Sequence, residues 1–543
     1  MRIEKLKIKN FKCYRDTVEV SFKEGINIIV GNNEAGKSTI LEAINLALTG
    51  ILNGRYLRNE LSPYLFNFRV EKDYIESLKT SSPMSPPEIL IEIYFNGSGP
   101  EYCSLKGNGN SDHKKESGVL FKIEFDDVYN SEYEELVKIG GVNSIPVEYY
   151  KISWKSFDRQ GVTAKSIPLK SALVDSSSAR MQNGSDFYVS RIIKEILEDG
   201  EKVAISQTHR QMRENFMQNK SVKYINSKIK SVANITNKEV SISVDLSSHT
   251  AWEGSLMTYI DSIPFHYIGK GEQCIIKTKL ALSSKKISES TVLLIEEPEN
   301  HLSHSKLNQL IRDISKDHGD KQIIITTHSS FVANKLGLEN LILLKGSENI
   351  RISDLKSSEF FKKLPGYDTL RLVLSDKAIL VEGPSDELVV QRAYMDKNSG
   401  QLPLENGIDV ISVGTSFLNF VELAMKLHVC VAVVTDNDGD FEKVEKKYSV
   451  YKGNDYFKLC CDTDVDVGGL EIKGKAFNYN TLEPKILKEN GIYLLNNVFE
   501  TKHKNEDDLL KYMQREKTRC ALAIFSTEQK LSFPKYLMEA IAI

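Results

Sequence analysis

The sequence predicts an α/β protein built from two successive units, each containing a parallel β-sheet. Short segments such as residues 25–30 and 377–381 are almost wholly apolar, as strands covered on both faces are. Amphipathic helical stretches separate such segments, which gives repeated strand–helix–strand units. A polar stretch at 346–376 interrupts the pattern. We therefore predict one domain over residues 1–370 and a second over residues 371–543.

The composition excludes several classes of protein. The 543 residues are 41% hydrophobic and carry a formal net charge of −3, so the chain is neither disordered nor fibrous. Without bulk positive charge, any nucleic-acid binding needs a local patch. The seven cysteines contain no C-x-x-C pair, which argues against a zinc ribbon and a disulfide framework. No apolar run reaches the roughly 18 residues of a membrane span, and no signal peptide opens the chain, so we expect a cytoplasmic location without membrane contact.

The first unit alternates between strands and helices along the chain. Its predicted strands are residues 2–8, 17–22, 25–30, 88–95, 119–125, 147–153, 240–246, 291–296 and 322–326. Its predicted helices cover residues 39–48 and 304–316, with an inserted helical pair at 186–232. Segment 51–87 is predicted to be irregular, with a proline-rich loop at 81–87, and the glycine-rich segment 97–118 is predicted to be a hairpin or a mobile loop. The inserted pair is either a dimerisation element or a solvated packing element.

The second unit repeats the same alternation. Apolar strands begin at Lys377, Ile408 and Val429. Helices begin near Asp386 and span Leu418–Leu427 between those strands. This order again predicts a parallel sheet, whose loops at the carboxyl ends of the strands usually carry the functional residues.

A phosphate-binding loop follows the strand at residues 25–30. The segment GNNEAGKS at 31–38 fits G-x-x-x-x-G-K-[ST] and lies between a strand and a helix, which makes a chance glycine-rich turn a poor alternative. Backbone amides and the helix amino terminus suit an anion there. Lys37 is expected to reach the β- and γ-phosphates, and Ser38 to bind Mg²⁺. The candidate ATP-binding residues are Gly31, Asn32, Asn33, Gly36, Lys37, Ser38 and Thr39.

Acidic residues end the strand at 291–296 and complete the predicted nucleotide site. Glu296 is expected near the metal, and Glu297 is the candidate base for the attacking water. His328 ends the next strand and is a candidate contact to the γ-phosphate. A histidine satisfied within the protein core is the alternative for His328.

Together these motifs resemble the ABC-type ATPase heads of the SMC and Rad50 class. In that family two heads close on ATP, and a signature loop of one head completes the site of the other. The matching stretch here is Gly269–Gln273, with Lys270 in place of the signature serine. The first metal acid is glutamate instead of aspartate, and no glutamine matches the Q-loop. The resemblance therefore implies ATP binding more strongly than rapid hydrolysis.

The second unit places acidic residues directly after two apolar strands. Glu382 and Asp386 belong to VEGPSD, and Asp436 and Asp438 belong to TDNDGD. Carboxylates at the same edge of a parallel sheet can share Mg²⁺ or Mn²⁺, and two such ions can activate water for attack on a phosphate. A solvated acidic turn is the alternative. A calcium-binding EF-hand is excluded because its glycine and distal glutamate are absent at the required spacing.

This arrangement is similar to the Toprim fold. An ABC head followed by Toprim resembles the OLD (overcoming lysogenization defect) nuclease family, which includes Gabija- and retron-associated antiphage nucleases. The resemblance implies that Glu382, Asp386, Asp436 and Asp438 hold metal ions and that Glu483 is a further ligand. It also implies that Lys517 stabilises charge on the scissile phosphate, although a surface lysine on a helix remains the alternative.

The sequence thus predicts an ABC-type P-loop ATPase head with an inserted helical dimerisation element, followed by a Toprim domain. The predicted function is an ATP-regulated, divalent-metal-dependent DNA endonuclease in antiphage defence. Predicted partners are DNA, further copies of the chain, and a defence protein or nucleic acid. One alternative is a DNA-binding ATPase clamp with an inactive Toprim domain. A topoisomerase needs a tyrosine in a strand-passing domain, and a primase usually carries a zinc module; the sequence offers neither.

Overall fold

The computed structural model of the protein describes residues 1–80, 82–175, 181–182, 185–186, 197–232, 242–243, 258–283, 288–317, 319–329, 332, 337–345, 348–363, 367–472 and 474–543. The chain forms two compact units. One comprises Met1–Ile29 and Gly36–Thr327, and the other comprises Val30–Ala35 and His328–Ile543. The domain division at residue 370 stays a prediction. Among the described residues, no helix is both long and apolar enough to cross a bilayer.

The regular elements alternate along the whole described chain. The strands are β1 (Arg2–Lys9), β2 (Val18–Ser21), β3 (Ile26–Gly31), β4 (Ile51–Leu52), β5 (Arg55–Tyr56), β6 (Ile89–Asn96), β7 (Lys106–Gly107), β8 (Glu116–Phe125), β9 (Tyr150–Ser156), β10 (Ser171–Asp175), β11 (Met181–Gln182), β12 (Ser185–Asp186), β13 (Tyr259–Ile260), β14 (Ile263–Pro264), β15 (Val292–Glu296), β16 (Gln322–Thr327), β17 (Leu341–Lys345), β18 (Glu348–Arg351), β19 (Lys377–Val381), β20 (Ile408–Ser412), β21 (Cys430–Val434), β22 (Phe457–Cys460), β23 (Glu471–Ile472) and β24 (Lys475–Ala476).

The α-helices lie between these strands and, at the carboxyl end, follow them. They are α1 (Lys37–Thr49), α2 (Phe68–Ser77), α3 (Pro100–Cys103), α4 (Asn130–Ile139), α5 (Asp199–Gln218), α6 (Lys220–Val232), α7 (Lys270–Leu282), α8 (His304–Asp317), α9 (Ser358–Lys363), α10 (Tyr367–Leu374), α11 (Pro384–Lys397), α12 (Phe417–Lys426), α13 (Phe441–Tyr448), α14 (Leu482–Phe499), α15 (Glu506–Arg515), α16 (Lys517–Ser526) and α17 (Lys535–Ala540).

An antiparallel sheet forms one layer of the first unit. Its strands lie in the order β2-β1-β6-β8-β7, and β9 also pairs with β8. The alternation predicted for β1 is only partly observed: Leu6 and Ile8 are fully buried, but the register shifts between Ile3 and Lys5, so the buried Ile3 does not continue their spacing. Such alternation covers one face of the sheet with apolar side chains.

A second sheet of the first unit carries the candidate nucleotide site. Strands β10, β15 and β16 pair in parallel, and β3 lies beside β16. Strands β3, β15 and β16 agree with the predicted segments. Strand β10 was not predicted because SALVD is short and carries polar residues at both ends. Strand β10 pairs in parallel with the buried strand β15, and this pairing is not visible in the sequence of β10 itself.

Helix α2 corrects the prediction that residues 51–87 lack regular structure. Only Tyr74 of this helix is buried, so the helix contributes little to the core. Asn67 caps the helix, because its side chain accepts a hydrogen bond from the Arg69 amide at 3.1 Å. Helix α4 in the first unit was also not predicted, and none of its residues is buried.

The predicted inserted helical pair appears as α5 and α6 within the described part of residues 186–232. Residues 187–196 of that prediction lie outside the described residues. The strand predicted at 240–246 also lies outside them, apart from Ile242 and Ser243.

The second unit is built on a four-stranded parallel sheet of order β20-β19-β21-β22. Helices α11 and α14–α17 pack against it around a core that includes Ile379, Val390 and Leu537. Because β19 and β21 are parallel neighbours, with Ile379 opposite Ala432, both strands end at the same edge of the sheet. Strand order therefore brings together the loops that follow Val381 and Val434.

Candidate active site

The loops after β19 and β21 line one pocket at the carboxyl edge of the second unit's sheet. Glu382 follows β19 directly, and Asp436 follows β21 after one residue. The walls of the pocket are formed by Glu382, Asp386, Val434, Thr435, Asp436, Leu482, Tyr536 and Leu537. Apolar strands thus deliver acidic side chains into a partly apolar cavity.

Asp386 is held by the first turn of α11. The turn begins at Gly383, whose backbone N–H donates to Oδ2 of Asp386 at 2.8 Å. Burial raises the pKa of Asp386 to about 6, the Gly383 hydrogen bond opposes that rise, and the carboxylates of Glu483 and Glu382 add to it. The Asp386 carboxyl therefore lies within electrostatic reach of two further predicted metal ligands.

Among the carboxyl groups that line the pocket, Asp436 has the most strongly shifted pKa. Burial raises its pKa to about 8, and repulsion from Asp386, Glu483, Glu382 and Asp438 contributes to the rise. Asp436 therefore lies within electrostatic reach of the other four predicted metal ligands, of which Glu382 and Asp386 line the same pocket. Such a concentration of like charge is costly unless a cation or a proton compensates it.

Glu483 and Lys517 face each other at this pocket. Nζ of Lys517 lies 2.9 Å from Oε1 of Glu483, and the Thr481 hydroxyl donates to Oε2 of Glu483 at 3.1 Å. Glu483 lies in the first turn of α14, and Lys517 is the first residue of α16. The electrostatic influence of Asp386 and Asp436 also reaches the Lys517 ammonium. Lys517 therefore lies within electrostatic reach of the acidic pocket, and its role stays a prediction.

The donor set fits a hard divalent cation by its chemistry. The ligands on offer are carboxylate oxygens, which Mg²⁺ and Mn²⁺ prefer. In the described part of the chain, no three side chains of histidine, cysteine, aspartate or glutamate already form a metal-binding group. The carboxylates instead bond to protein groups, as Asp438 does in accepting from the Asn478 amide at 2.8 Å. Metal binding therefore requires these carboxylates to exchange protein partners for the ion.

Two further residues of the pocket region were missed by sequence reasoning. Tyr536, on α17, lines the pocket and is 5% exposed. Asn437 is 2% exposed and lies between two predicted ligands. Asn437 belongs to the motif DNDGD, so the sequence already placed it beside Asp436 and Asp438. Nothing in the sequence around Tyr536 connects it to the acids.

The candidate nucleotide site of the first unit centres on Lys37. This side chain is 5% exposed, and its Nζ lies 3.9 Å from Oε1 of Glu297. Burial lowers the pKa of Lys37, while Glu297, Glu299 and Glu296 oppose that shift. The structure thus brings Lys37 together with Glu296 and Glu297, as expected of a lysine that binds phosphate beside metal and water ligands. Glu299 was not predicted as a member of this group.

The geometry before α1 suits an anion. Gly36 adopts φ of 91°, and a side chain there would clash with the hydroxyl of Tyr14. That hydroxyl donates to the Gly36 carbonyl oxygen at 3.2 Å and so braces the turn. Among the described residues, no side chain caps α1 and no acidic residue occupies its first turn. The helix amino terminus therefore presents its positive end to the loop. Thr39 is buried and Ser38 is half-buried in the same turn.

The remaining predicted nucleotide residues are placed as follows. Gly31 is the last residue of β3, and Asn32 and Asn33 follow it in the loop before α1, where the Ala35 amide donates to the Asn32 carbonyl oxygen at 3.2 Å. Lys270 is exposed at the start of α7, and His328 is exposed immediately after β16. The roles of these residues stay predictions.

Two sequence families match the chain in succession. The family described as "AAA ATPase domain" matches residues 1–333. The family described as "Overcoming lysogenization defect protein-like, TOPRIM domain" matches residues 373–438. The second match includes the strand ends that carry Glu382 and Asp436.

Individual relatives match either most of the chain or a short part of it. An endonuclease GajA of Bacillus cereus (strain HuB5-5) is 22% identical over 531 residues, which cover 82% of this chain and 75% of that protein. The GajA of strain VD045 is 22% identical over 490 residues, with 82% and 76% covered. A DNA double-strand break repair Rad50 ATPase of Methanopyrus kandleri is 56% identical over 46 residues, or 8% of this chain and 5% of that protein. The solved SMC head domain of Thermotoga maritima aligns with a TM-score of 0.29 at 16% identity, covering 64% of this chain and 97% of that one.

Proposed function

Because this chain belongs to the family that joins an AAA ATPase domain to an OLD-like TOPRIM domain, we propose that it is an ATP-regulated, divalent-metal-dependent DNA endonuclease. The two matches confirm the order of ATPase and Toprim folds predicted from the sequence. Relatives that match over most of the chain carry the name endonuclease, which supports nuclease chemistry.

The acidic pocket of the second unit carries the proposal. Glu382, Asp386, Asp436, Asp438 and Glu483 would hold one or two Mg²⁺ or Mn²⁺ ions. Bound ions would supply Lewis acidity toward the phosphate and a more acidic water. Lys517, which pairs with Glu483, would offset the negative charge that develops on the scissile phosphate.

ATP is the proposed regulator. Lys37 would bind its phosphates, Ser38 and Glu296 would hold Mg²⁺, and Glu297 would orient the attacking water. These roles are supported by the electrostatic grouping of Lys37 with Glu296 and Glu297 at the end of β15. Lys270 replaces the signature serine, so we propose that the ATPase unit mainly senses ATP and hydrolyses it slowly. Gly31, Asn32, Asn33, Gly36, Thr39 and His328 would complete the nucleotide site.

The biological setting is proposed from the resemblance to the OLD nuclease family. We propose that the protein cleaves DNA in antiphage defence in the cytoplasm. We further propose a homo-oligomer formed through the ATPase units and the helical element that contains α5 and α6. A defence partner protein or nucleic acid would supply the trigger.

Plasmid cleavage tests the proposal. Wild-type protein and Glu382→Ala are incubated with supercoiled plasmid in Mg²⁺ or Mn²⁺, with and without ATP. We expect metal-dependent nicking by wild type, modulation by ATP, and loss of nicking in Glu382→Ala. Glu405→Ala, at an exposed position of the same unit, is the matched control and retains activity. DNA binding without nicking in any metal would favour the inactive-Toprim clamp.

A further inference from the structure

The segment that follows β22 reaches the turn that carries Asp436 and Asp438. The buried Asn437 amide donates to the backbone carbonyls of Asp462 at 2.8 Å and Asp464 at 2.9 Å. The same side chain accepts from the Gly439 amide at 3.0 Å. Both donor hydrogens and the acceptor oxygen of Asn437 are therefore engaged, and the turn is fixed to a neighbouring segment.

The other side of that segment is fixed to α14, which carries Glu483. The Asn480 amide donates to the Asp466 carbonyl at 2.9 Å, and the Asp466 N–H donates to Asn480 Oδ1 at 2.7 Å. Lys485 Nζ lies 2.6 Å from a carboxylate oxygen of each of Asp462 and Asp466. Lys485 also donates to the Asp464 carbonyl at 3.1 Å. One segment thus bonds to two parts of the acidic pocket.

The charge of Lys485 is central to this arrangement. The side chain is 4% exposed, and removing a buried ion's partner is costly because a carboxylate is left uncompensated. Aspartates occupy every second position at 462, 464 and 466, a spacing that resembles a cation-binding loop. The Lys485 ammonium instead provides the positive charge among them, together with Lys488, which lies 2.8 Å from Asp466 Oδ1.

We propose that Lys485 and Asn437 are positioning residues for the nuclease site. They act through a group that we name the Lys485 clamp, which comprises Asn437, Asp462, Asp464, Asp466, Asn480 and Lys485. The clamp fixes the separation between the Asp436–Asp438 turn and Glu483, neither of which Lys485 touches. This inference rests on the proposed function for its kinetic consequences, since displacement of a reacting group by about 1 Å can cost roughly 10²-fold in rate.

Four variants test the clamp. Lys485→Met removes the buried charge, Lys485→Arg retains it, and Asn437→Ala breaks the link from the other end. Lys488→Met is the matched control because it removes the second, 55% exposed lysine partner of Asp466. Amide hydrogen exchange of residues 436–440 and 478–484 is measured on the full-length, metal-free chain. Plasmid cleavage with Mn²⁺ is measured for kcat and for KM toward DNA.

We expect exchange in both segments of Lys485→Met and Asn437→Ala to rise about tenfold or more, with β19 and β20 unchanged. We expect kcat to fall about tenfold or more while KM for DNA stays within about twofold. Lys485→Arg restores most of the rate, and Lys488→Met resembles wild type. Uniformly faster exchange across the unit, or Lys485→Met that matches wild type in exchange and kcat, overturns the clamp.

The two proposals fail separately. A wild-type protein that cuts no DNA in any metal contradicts the proposed function, and the exchange measurement then still decides whether the clamp fixes the two segments. If Lys485→Met does not fold, Asn437→Ala decides the same question. The neutral Asn437 side chain bonds to the same segment at Asp462 and Asp464, so its removal breaks the clamp without removing a buried charge.

Discussion

The Lys517 ammonium lies 2.9 Å from the Glu483 carboxylate, which joins the starts of α16 and α14 beside the acidic pocket. Lys517 is half exposed, whereas Glu483 is only 14% exposed. An exposed lysine contributes little to stability through such a pair. Its position within electrostatic reach of Asp386 and Asp436 is what a group that meets an incoming phosphate requires.

Replacement of Lys517 should therefore affect cleavage far more than folding. We expect Lys517→Met to lower kcat for plasmid cleavage by roughly 10²-fold, because a charge that stabilises the transition state is lost. Steady-state cleavage with Mn²⁺ and thermal melting measure the two effects. Lys511→Met is the matched control, since Lys511 pairs with Asp508 on the neighbouring helix α15 at similar exposure. Equal activity of both variants would show that Lys517 is an ordinary surface lysine.

Lys37 should be required for nucleotide binding but not for folding. Its ammonium is buried and its pKa is lowered by that burial, so Lys37→Met removes an unfavourable buried charge. We expect ATP affinity to fall by roughly tenfold or more, with an unchanged or higher melting temperature in the absence of ATP. Calorimetric titration of ATP measures the affinity. Lys72→Met, on the exposed face of α2, serves as the control; a Lys37→Met protein that binds ATP normally would refute the assignment.

The turn before α1 should tolerate no side chain at Gly36. Both Gly36 and Gly25 adopt positive φ, but a side chain at Gly36 would meet Tyr14, and one at Gly25 would meet nothing within 4 Å. Gly25→Ala should cost about 1–2 kcal/mol of unfolding free energy from the left-handed backbone alone. Gly36→Ala should cost more and should also weaken ATP binding. Urea unfolding of both variants makes the comparison, and equal losses would argue against the Tyr14 contact.

Arg371 should be a major stabilising residue of the second unit. Its guanidinium donates to Asp409 at 2.6 Å and 3.1 Å and to the Val410 carbonyl at 2.7 Å. Arg371→Met leaves the poorly exposed Asp409 without its partner, and we expect a loss of about 1–3 kcal/mol. The control is Arg515→Met, which should change little because the exposed Arg515 guanidinium pairs with neighbouring Glu516 and lies 5.9 Å from the centre of the Tyr512 ring. Differential scanning calorimetry measures the melting temperatures. Equal melting temperatures for the two variants would contradict this expectation.

The sequence predicted those parts of the sites that depend on local pattern. Asp436 follows an apolar strand, and Lys37 stands in a motif between a strand and a helix, so chain order alone located both. Strand pairing then explains why Asp436 meets Glu382, because β19 and β21 are parallel neighbours. Glu483 and Lys517 required a family resemblance, since nothing near them in the chain signals a phosphate.

The positioning residues Lys485 and Asn437 could not be predicted from the sequence. Lys485 looks like any lysine on an amphipathic helix, and only the path of residues 461–466 buries it between two carboxylates. Asn437 was visible inside DNDGD, but its partners are backbone carbonyls that carry no sequence signal. Interactions with the backbone of a distant loop leave no spacing for a pattern to detect.

Location of the metal tests the central claim most directly. Crystals of the full chain grown with Mn²⁺ would be measured by anomalous diffraction at the manganese edge. We expect one or two anomalous peaks within coordination distance of the carboxylates of Glu382, Asp436 and Asp438, and none in crystals of Glu382→Ala. Anomalous peaks elsewhere in the chain, with none between these carboxylates, would contradict the account.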